Sequence, residues 1–234
     1  MQQALKAILT KLPGGVRLIE MMRTQSNEEL FAHYYENNVW GDPESVSGSH
    51  STVKYTDNIR RELPALIASL GLKRILDAPC GDFNWFRLVP RPADVAYVGT
   101  DIVEALVERN QRSFGNANTS FRKLDIITDP LPQADLWMCR DCLFHFSDAN
   151  IARALANFAR SDIRYLLTTT FPHAAVNENI PTGSFRMLNL ELPPFSFPKP
   201  MLAIDDWIEG HPVKKLSLWE RDALLAQDSI KRMI

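Results

Sequence analysis

A three-layer α/β sandwich is the fold class this sequence predicts, built on a mostly parallel seven-stranded sheet with an antiparallel hairpin at its C-terminal end. Three observations predict it. Short apolar runs alternate, from residue 56 onward, with segments whose apolar residues recur at helical spacing. The first run, Arg74-Ile-Leu-Asp77, enters a tight turn around Gly81, the arrangement by which a parallel sheet holds a nucleotide-like ligand at its carboxyl edge. Three successive strands then end in acids: Asp77, Asp101 and Asp125.

Met1 to Arg23 carries one short apolar run, Ala4 to Leu9, broken at Pro13-Gly14-Gly15, and reads as neither a secretory signal nor a membrane span. Phe31 to Trp40 is aromatic and polar, and Ser45 to Ser51 is a Ser/Gly turn region. Residues 1–55 are therefore expected to form a helical cap or lid ahead of a catalytic domain spanning 56–234. Ile59, Leu63, Leu66, Ile67 and Leu70 share one helical face, with Thr56 or Asp57 as cap, Gly71 as stop, and Pro64 beginning or kinking the helix. Ala96 to Asp101 is the second strand, and Val103, Leu106, Val107 and Asn110 mark the helix after it. Thr119 to Leu124 is the third strand. Ala134 to Asp141 reads as the fourth, Ser147 caps a helix carrying Ile151, Leu155 and Phe158, and Tyr165 to Thr170 is the fifth. Pro172 to Pro200 is rich in Pro, Asn and Phe without periodicity, which suggests an ordered active-site loop. Met201 to Ile204 and Lys215 to Trp219 can pair across a Gly210-His-Pro212 turn and supply the hairpin.

With 234 residues, the chain is long enough for a domain that buries roughly 70% of its unfolded surface. A net charge of −2 with scattered Lys and Arg gives no electrostatic footprint for nucleic acid. Arg60-Arg61 and Lys214-Lys215 read as solvated faces. Cys80, Cys139 and Cys142 fall at expected strand ends, which suits packing in a reducing cytoplasm. The Cys139/Cys142 pair lacks two further ligands at regular spacing, so no metal is expected.

Asp77-Ala-Pro79-Cys80-Gly81-Asp82-Phe83 resembles motif I of class I S-adenosylmethionine-dependent methyltransferases, Asp/Glu-x-Gly-x-Gly-x-Gly, with Pro79 and Phe83 in place of the outer glycines. Asp101-Ile102 and Asp125-Ile126 match that family's next two strand ends, and the resemblance covers about residues 56 to 221. Within it, Trp40-Gly-Asp-Pro-Glu-Ser-Val-Ser-Gly48, Cys139-Arg-Asp-Cys142, Leu166-Leu-Thr-Thr-Thr-Phe-Pro172 and Leu188-Asn-Leu190 are similar to phrases of a small bacterial-type group of unassigned substrate. His50 departs from that group, where a second small residue is expected. The resemblance implies a Rossmann-like fold and S-adenosylmethionine as cofactor. It places the cofactor at Asp77, Pro79, Cys80, Gly81, Asp101, Ile102, Asp125, Ile126 and Arg140, with Asp101 on the ribose, Asp125 beside the adenine, and Pro79 and Phe83 approaching the methionine part.

Methyl transfer needs alignment, exclusion of water and, for some acceptors, removal of a proton. Candidates follow strand four. His145 has the pKa range of a general base, Asp141 can take a proton or orient the acceptor, and Arg140 can clamp an anion; the competing readings are a packing histidine and an Arg/Asp pair that stiffens the turn. Trp40, Ser47, Gly48 and Thr52, with Trp85, form the expected substrate or lid wall. His173 reads as plain loop. Leu192-Pro193-Pro194-Phe195 follows strand five rather than strand four, so it does not mark a base-methylating signature. The expected activity is methyl transfer to a small polar acceptor, an oxygen of a sugar, a phosphorylated compound or a secondary metabolite. A nicotinamide-dependent oxidoreductase lacks its GxGxxG and Tyr-x-x-x-Lys here, and a non-catalytic binding module is the third reading.

Overall fold

Alternation of side chains along each strand builds two apolar layers on one sheet. The computed structural model describes residues 26–234; the Ala4 to Leu9 run and its Pro-Gly-Gly break lie outside them. Five parallel strands, β1 (Arg74–Asp77), β2 (Ala96–Asp101), β3 (Thr119–Lys123), β4 (Leu136–Cys139) and β5 (Tyr165–Thr170), are joined by the antiparallel pair β6 (Leu202–Asp205) and β7 (Lys215–Glu220). The order is β3-β2-β1-β4-β5-β7-β6. Ile75, Leu136, Met138 and Leu167 point to one face, while Leu76, Trp137, Cys139 and Leu166 point to the other. Strands buried on both faces read as continuous apolar runs, which is why β4 and β5 show no polar alternation.

Helices α2 (Asp57–Ser69) and α3 (Glu104–Phe114) cover the first face, and α4 (Asp148–Ala159) covers the second. Short helices α5 (Arg221–Leu225) and α6 (Asp228–Met233) extend that second layer. Ser147 caps α4 by accepting from Asn150 N. Helix α2 runs through Pro64 instead of starting there: Ile59, Leu63, Leu66 and Ile67 are all buried, and their packing outweighs the one missing N–H. Thr56 precedes α2 without a side-chain cap bond.

The reading of Lys214-Lys215 as a solvated pair needs correction. Lys214 is fully buried, whereas Lys215 pairs with Asp205 at the surface. Period two explains it, because Lys214 shares its strand face with Leu216 and Leu218, both in the core.

Ahead of the sheet, α1 (Asn27–Glu36) begins with a reciprocal cap between Ser26 and Glu29. Buried Leu30 and Tyr34 dock it on the segment after β5. There Tyr34 donates to Gly183 O at 3.0 Å. Gly183 sits at φ +94°, and a Cβ would lie 2.7 Å from Leu30 Cδ2, so the close approach of helix and loop requires glycine.

Candidate active site

Residues from the carboxyl ends of β1, β2, β3 and β4 line one cavity of about 480 Å³ beneath α1. Asp77, Pro79, Cys80, Gly81, Asp101, Ile102, Asp125, Ile126, Arg140, Asp141, His145, Trp40, Ser47, Gly48 and Trp85 all line it. Thr52 does not. Its hydroxyl donates to Ser49 O and accepts from Tyr55 N, which spends it on the turn into α2. His173 lies exposed on a loop, and Phe195 is fully buried in the core.

Gly81 adopts φ +55°, and a Cβ there would run into Ser47 Oγ. Its N–H donates to Asp101 Oδ2, while Val103 N donates to Asp101 Oδ1, so one lone pair on each oxygen is taken by backbone. The loop is stitched to the segment before α2: Asp82 accepts from Val46 N, Asp82 N donates to Ser47 Oγ, and Glu44 accepts from Asn84 and Val53. Phe83 departs from its expected place. At φ +58° its ring turns away from the cavity into a cluster with Phe86, Tyr97, Phe114 and Phe121. The bulky substitution therefore fills the layer under the sheet and leaves the loop's inner surface to Pro79, Cys80 and Gly81.

Burial raises Asp77 and Asp101. Asp77 is pushed up to about 8, with the Tyr97 hydroxyl at 2.6 Å and the charge of Arg140 working against the shift. Burial likewise pushes Asp101 up to about 6 against its backbone donors. Burial disfavours the ionised forms of Asp77 and Asp101, so a positive charge placed beside them would favour ionisation.

Beyond β4 the charges are already paired. Arg140 donates through Nε and Nη2 to Asp206 at 2.9 and 2.8 Å, and through Nη2 to His50 O at 2.8 Å, with Trp85 5.2 Å from its guanidinium carbon. Lys214 contacts both Asp141 oxygens and lies 3.2 Å from Asp206. Asp141 sits at φ +51°, fixed by Thr169, which accepts from its N–H and donates to its carboxylate. Burial alone would raise Asp141, but Arg140 and Lys214 outweigh it and hold the carboxyl well below the usual range. Such a carboxylate orients its neighbours and is a poor proton acceptor. Arg140 likewise has few donors left for an incoming anion. Sequence reasoning missed Asp206, Lys214 and Tyr55, which stacks on His50 and lies under Lys214. Only the strand alternation at Lys214 signalled any of them.

His145 is different. It ends a short turn after β4, its Nδ1 lies 2.8 Å from Ser184 O, and its ring meets Phe144 at 4.5 Å. A carbonyl can only accept, so Nδ1 carries the proton and the neutral ring leaves Nε2 unprotonated. Burial lowers the His145 pKa, which keeps the ring neutral. No group of three His, Cys, Asp or Glu suited to a metal occurs among the described residues.

Residues 75–161 match a family model described as a methyltransferase domain. Among solved structures, a methyltransferase from Leishmania major dependent on S-adenosylmethionine (SAM) is similar, at 15% identity over 83% of this chain and 85% of that one, with a TM-score of 0.58. Magnesium protoporphyrin IX methyltransferase from Synechocystis PCC 6803 with bound SAH, the demethylated cofactor S-adenosylhomocysteine, is similar at 14% identity over 84% of this chain and 100% of that one, with a TM-score of 0.57. No curated protein matches in sequence.

Proposed function

We propose that the chain is a class I S-adenosylmethionine-dependent methyltransferase, as its methyltransferase-domain match and strand order support, and that it methylates an oxygen of a small acceptor seated beside His145. One observation carries the proposal: the three strand-end acids open on the same cavity as a histidine whose hydrogen bond to Ser184 leaves Nε2 free to take a proton. Bound S-adenosylmethionine supplies a methyl group on a positively charged sulfur that is its own leaving group. Asp77 faces the cationic end by charge, Asp101 keeps lone pairs for the ribose hydroxyls, and Asp125 with Ile126 borders the adenine. Gly81 lets the backbone come close. His145 takes the hydroxyl proton at Nε2, and Asp141, locked by Lys214, holds the turn that presents it. Among the three acceptor classes expected, the phosphorylated one has least support, since Arg140 is already paired.

The test is transfer of a labelled methyl group from S-adenosylmethionine to a panel of hydroxyl compounds, followed by His145→Asn. Asn keeps a donor for Ser184 O and removes Nε2. Turnover is expected to fall about 10²- to 10⁴-fold with cofactor affinity and melting temperature kept. A variant that turns over normally would leave alignment alone as the mechanism.

Residues 26–55 act as a lid on a catalytic unit spanning 56–234 in this reading, supported by the Tyr34–Gly183 and Ser47–Asp82 ties and by the cavity-lining rings of Phe31, Tyr35 and Trp40. Limited proteolysis within 26–55 is expected to slow when S-adenosylhomocysteine is added. Equal cutting with and without it would make the segment a passive extension. The three free, buried thiols suit the cytoplasm, and among the described residues no helix is long and apolar enough to cross a membrane.

A further inference from the structure

Large rings gather on one side of the cavity, with buried Phe144 and Phe171 behind exposed Trp40 and Phe185. Phe144 meets Phe171 at 5.4 Å and Phe185 at 5.5 Å, and Trp40 lies 6.1 Å from His145, so these rings form one wall around the imidazole. Trp40 and Phe185 line the cavity yet remain 38% and 47% exposed. Apolar rings left open at the mouth of a pocket mark a binding surface more readily than a folding core.

This wall is too far from the adenine side to serve the cofactor. Phe171 directly follows β5, and Phe144 and His145 follow β4, whereas Asp101 ends β2 and Asp125 follows β3. In the order β3-β2-β1-β4-β5, strands β3 and β4 are three spacings apart, roughly 14 Å, and β5 lies one spacing farther. An adenine beside Asp125 leaves the wall to the acceptor.

Charge narrows the acceptor further. Arg140 is the one Lys or Arg among the described lining residues; Asp206 and His50 O take its Nε and Nη2 donors, and its Nη1 faces Asp141 at 3.4 Å. An anion entering here would lose water without gaining a cation. Asp141, the acid on this side, is neutralised by Lys214 and Arg140, so an ammonium finds no free carboxylate either. Beside the rings, the polar group offered for a reacting hydroxyl is His145 Nε2.

We infer that the acceptor is an uncharged, planar aromatic compound bearing a hydroxyl, held between Trp40 and the Phe144/Phe185 wall. This deepens the methyltransferase reading and rests on it. The experiment uses the full chain saturated with S-adenosylhomocysteine and titrates, by calorimetry, three probes that share one ring system: 2-naphthol, 2-naphthyl phosphate and 2-naphthylmethylamine. The neutral phenol is expected to bind at least about tenfold more tightly than either charged analogue. Trp40→Ala and Phe185→Ala should each weaken 2-naphthol by about twofold to tenfold, more than they weaken S-adenosylhomocysteine. Equal or tighter binding of a charged probe, competition between 2-naphthol and S-adenosylhomocysteine, or no effect of either substitution would overturn the inference. Failure of S-adenosylhomocysteine itself to bind would instead overturn the methyltransferase reading beneath it.

Discussion

Asp206→Ala is expected to destabilise the protein by about 3 to 5 kcal/mol, the cost of breaking a buried ion network from one side. Asp206 is 1% exposed and receives both Arg140 and Lys214, each itself buried. Without it, two buried cations share Asp141 alone. Lys214 then stays close to Asp141, but Arg140 keeps only the 3.4 Å approach of Nη1 to Asp141 and its bond to His50 O. Urea denaturation gives the number. A loss below about 1 kcal/mol, the scale of an exposed pair, would mean that water reaches the network. Asp206→Asn separates shape from charge, since it keeps the size and one of the two oxygens that accept from Arg140 and removes the countercharge.

The network and the strand-end acids pull stability in opposite directions with pH. Asp141 has a depressed pKa in the folded state, so its contribution is present above the unfolded carboxyl pKa of about 3.9 and is lost as pH falls through the lower folded value. Asp77 and Asp101 have raised values of about 8 and about 6, so their contribution is full below about 3.9 and is lost as pH rises through those values. Asp77 and Asp101 thus favour the free protein least at neutral and higher pH, where a cationic ligand would offset the cost of burying their charges.

The sheet was legible in the sequence because its strands are buried on both faces and separated by helices with clean spacing. Tyr165 to Thr170 and Ala96 to Asp101 were found to the residue. Strand ends bounded by polar residues were less sharp: Leu124 follows β3 because its N–H bonds Asp101 O outside the regular ladder. The ionic network was hidden for a different reason. Arg140 lies 66 residues before Asp206 in the chain, while Asp206 and Lys214 flank the turn between β6 and β7, and nothing in either segment announces the other. Phe83 was misplaced because a motif reading assigns a position to the ligand side, whereas a positive φ at that residue sends the ring to the opposite side. His145 could be picked out by its place after strand four, but the carbonyl that fixes its tautomer lies on the segment after β5.

Asp101→Ala is expected to weaken the binding of S-adenosylmethionine and S-adenosylhomocysteine by about 2 to 4 kcal/mol, or roughly 30- to 1,000-fold, as a lost pair of charge-assisted hydrogen bonds. The carboxylate already spends one lone pair of each oxygen on Gly81 N and Val103 N, so Ala also frees two backbone donors at the mouth of the motif loop. Asp101→Asn is the necessary partner, because it preserves size and one of those acceptors while removing the charge. If both variants keep their melting temperature and both bind poorly, the charge on Asp101 is what holds the ligand; a loss confined to Ala, tracking a lower melting temperature, would assign it to loop structure. The wild-type protein should show the charge directly. With Asp101 near 6 and Asp77 near 8 in the free state, the ligand must drive protons off, pairing its positive charge with Asp77 and its ribose hydroxyls with ionised Asp101. Affinity should therefore rise from about pH 5 to about pH 7.5, below the ordinary α-amino pKa of about 7.7 to 8.0, and Asp101→Asn should lose the lower part of that rise. Calorimetry in two buffers of different ionisation enthalpy counts the released protons. A flat profile with no proton release would mean that both acids are already ionised before the ligand arrives, and would leave the ligand's positive charge without a role in its recognition.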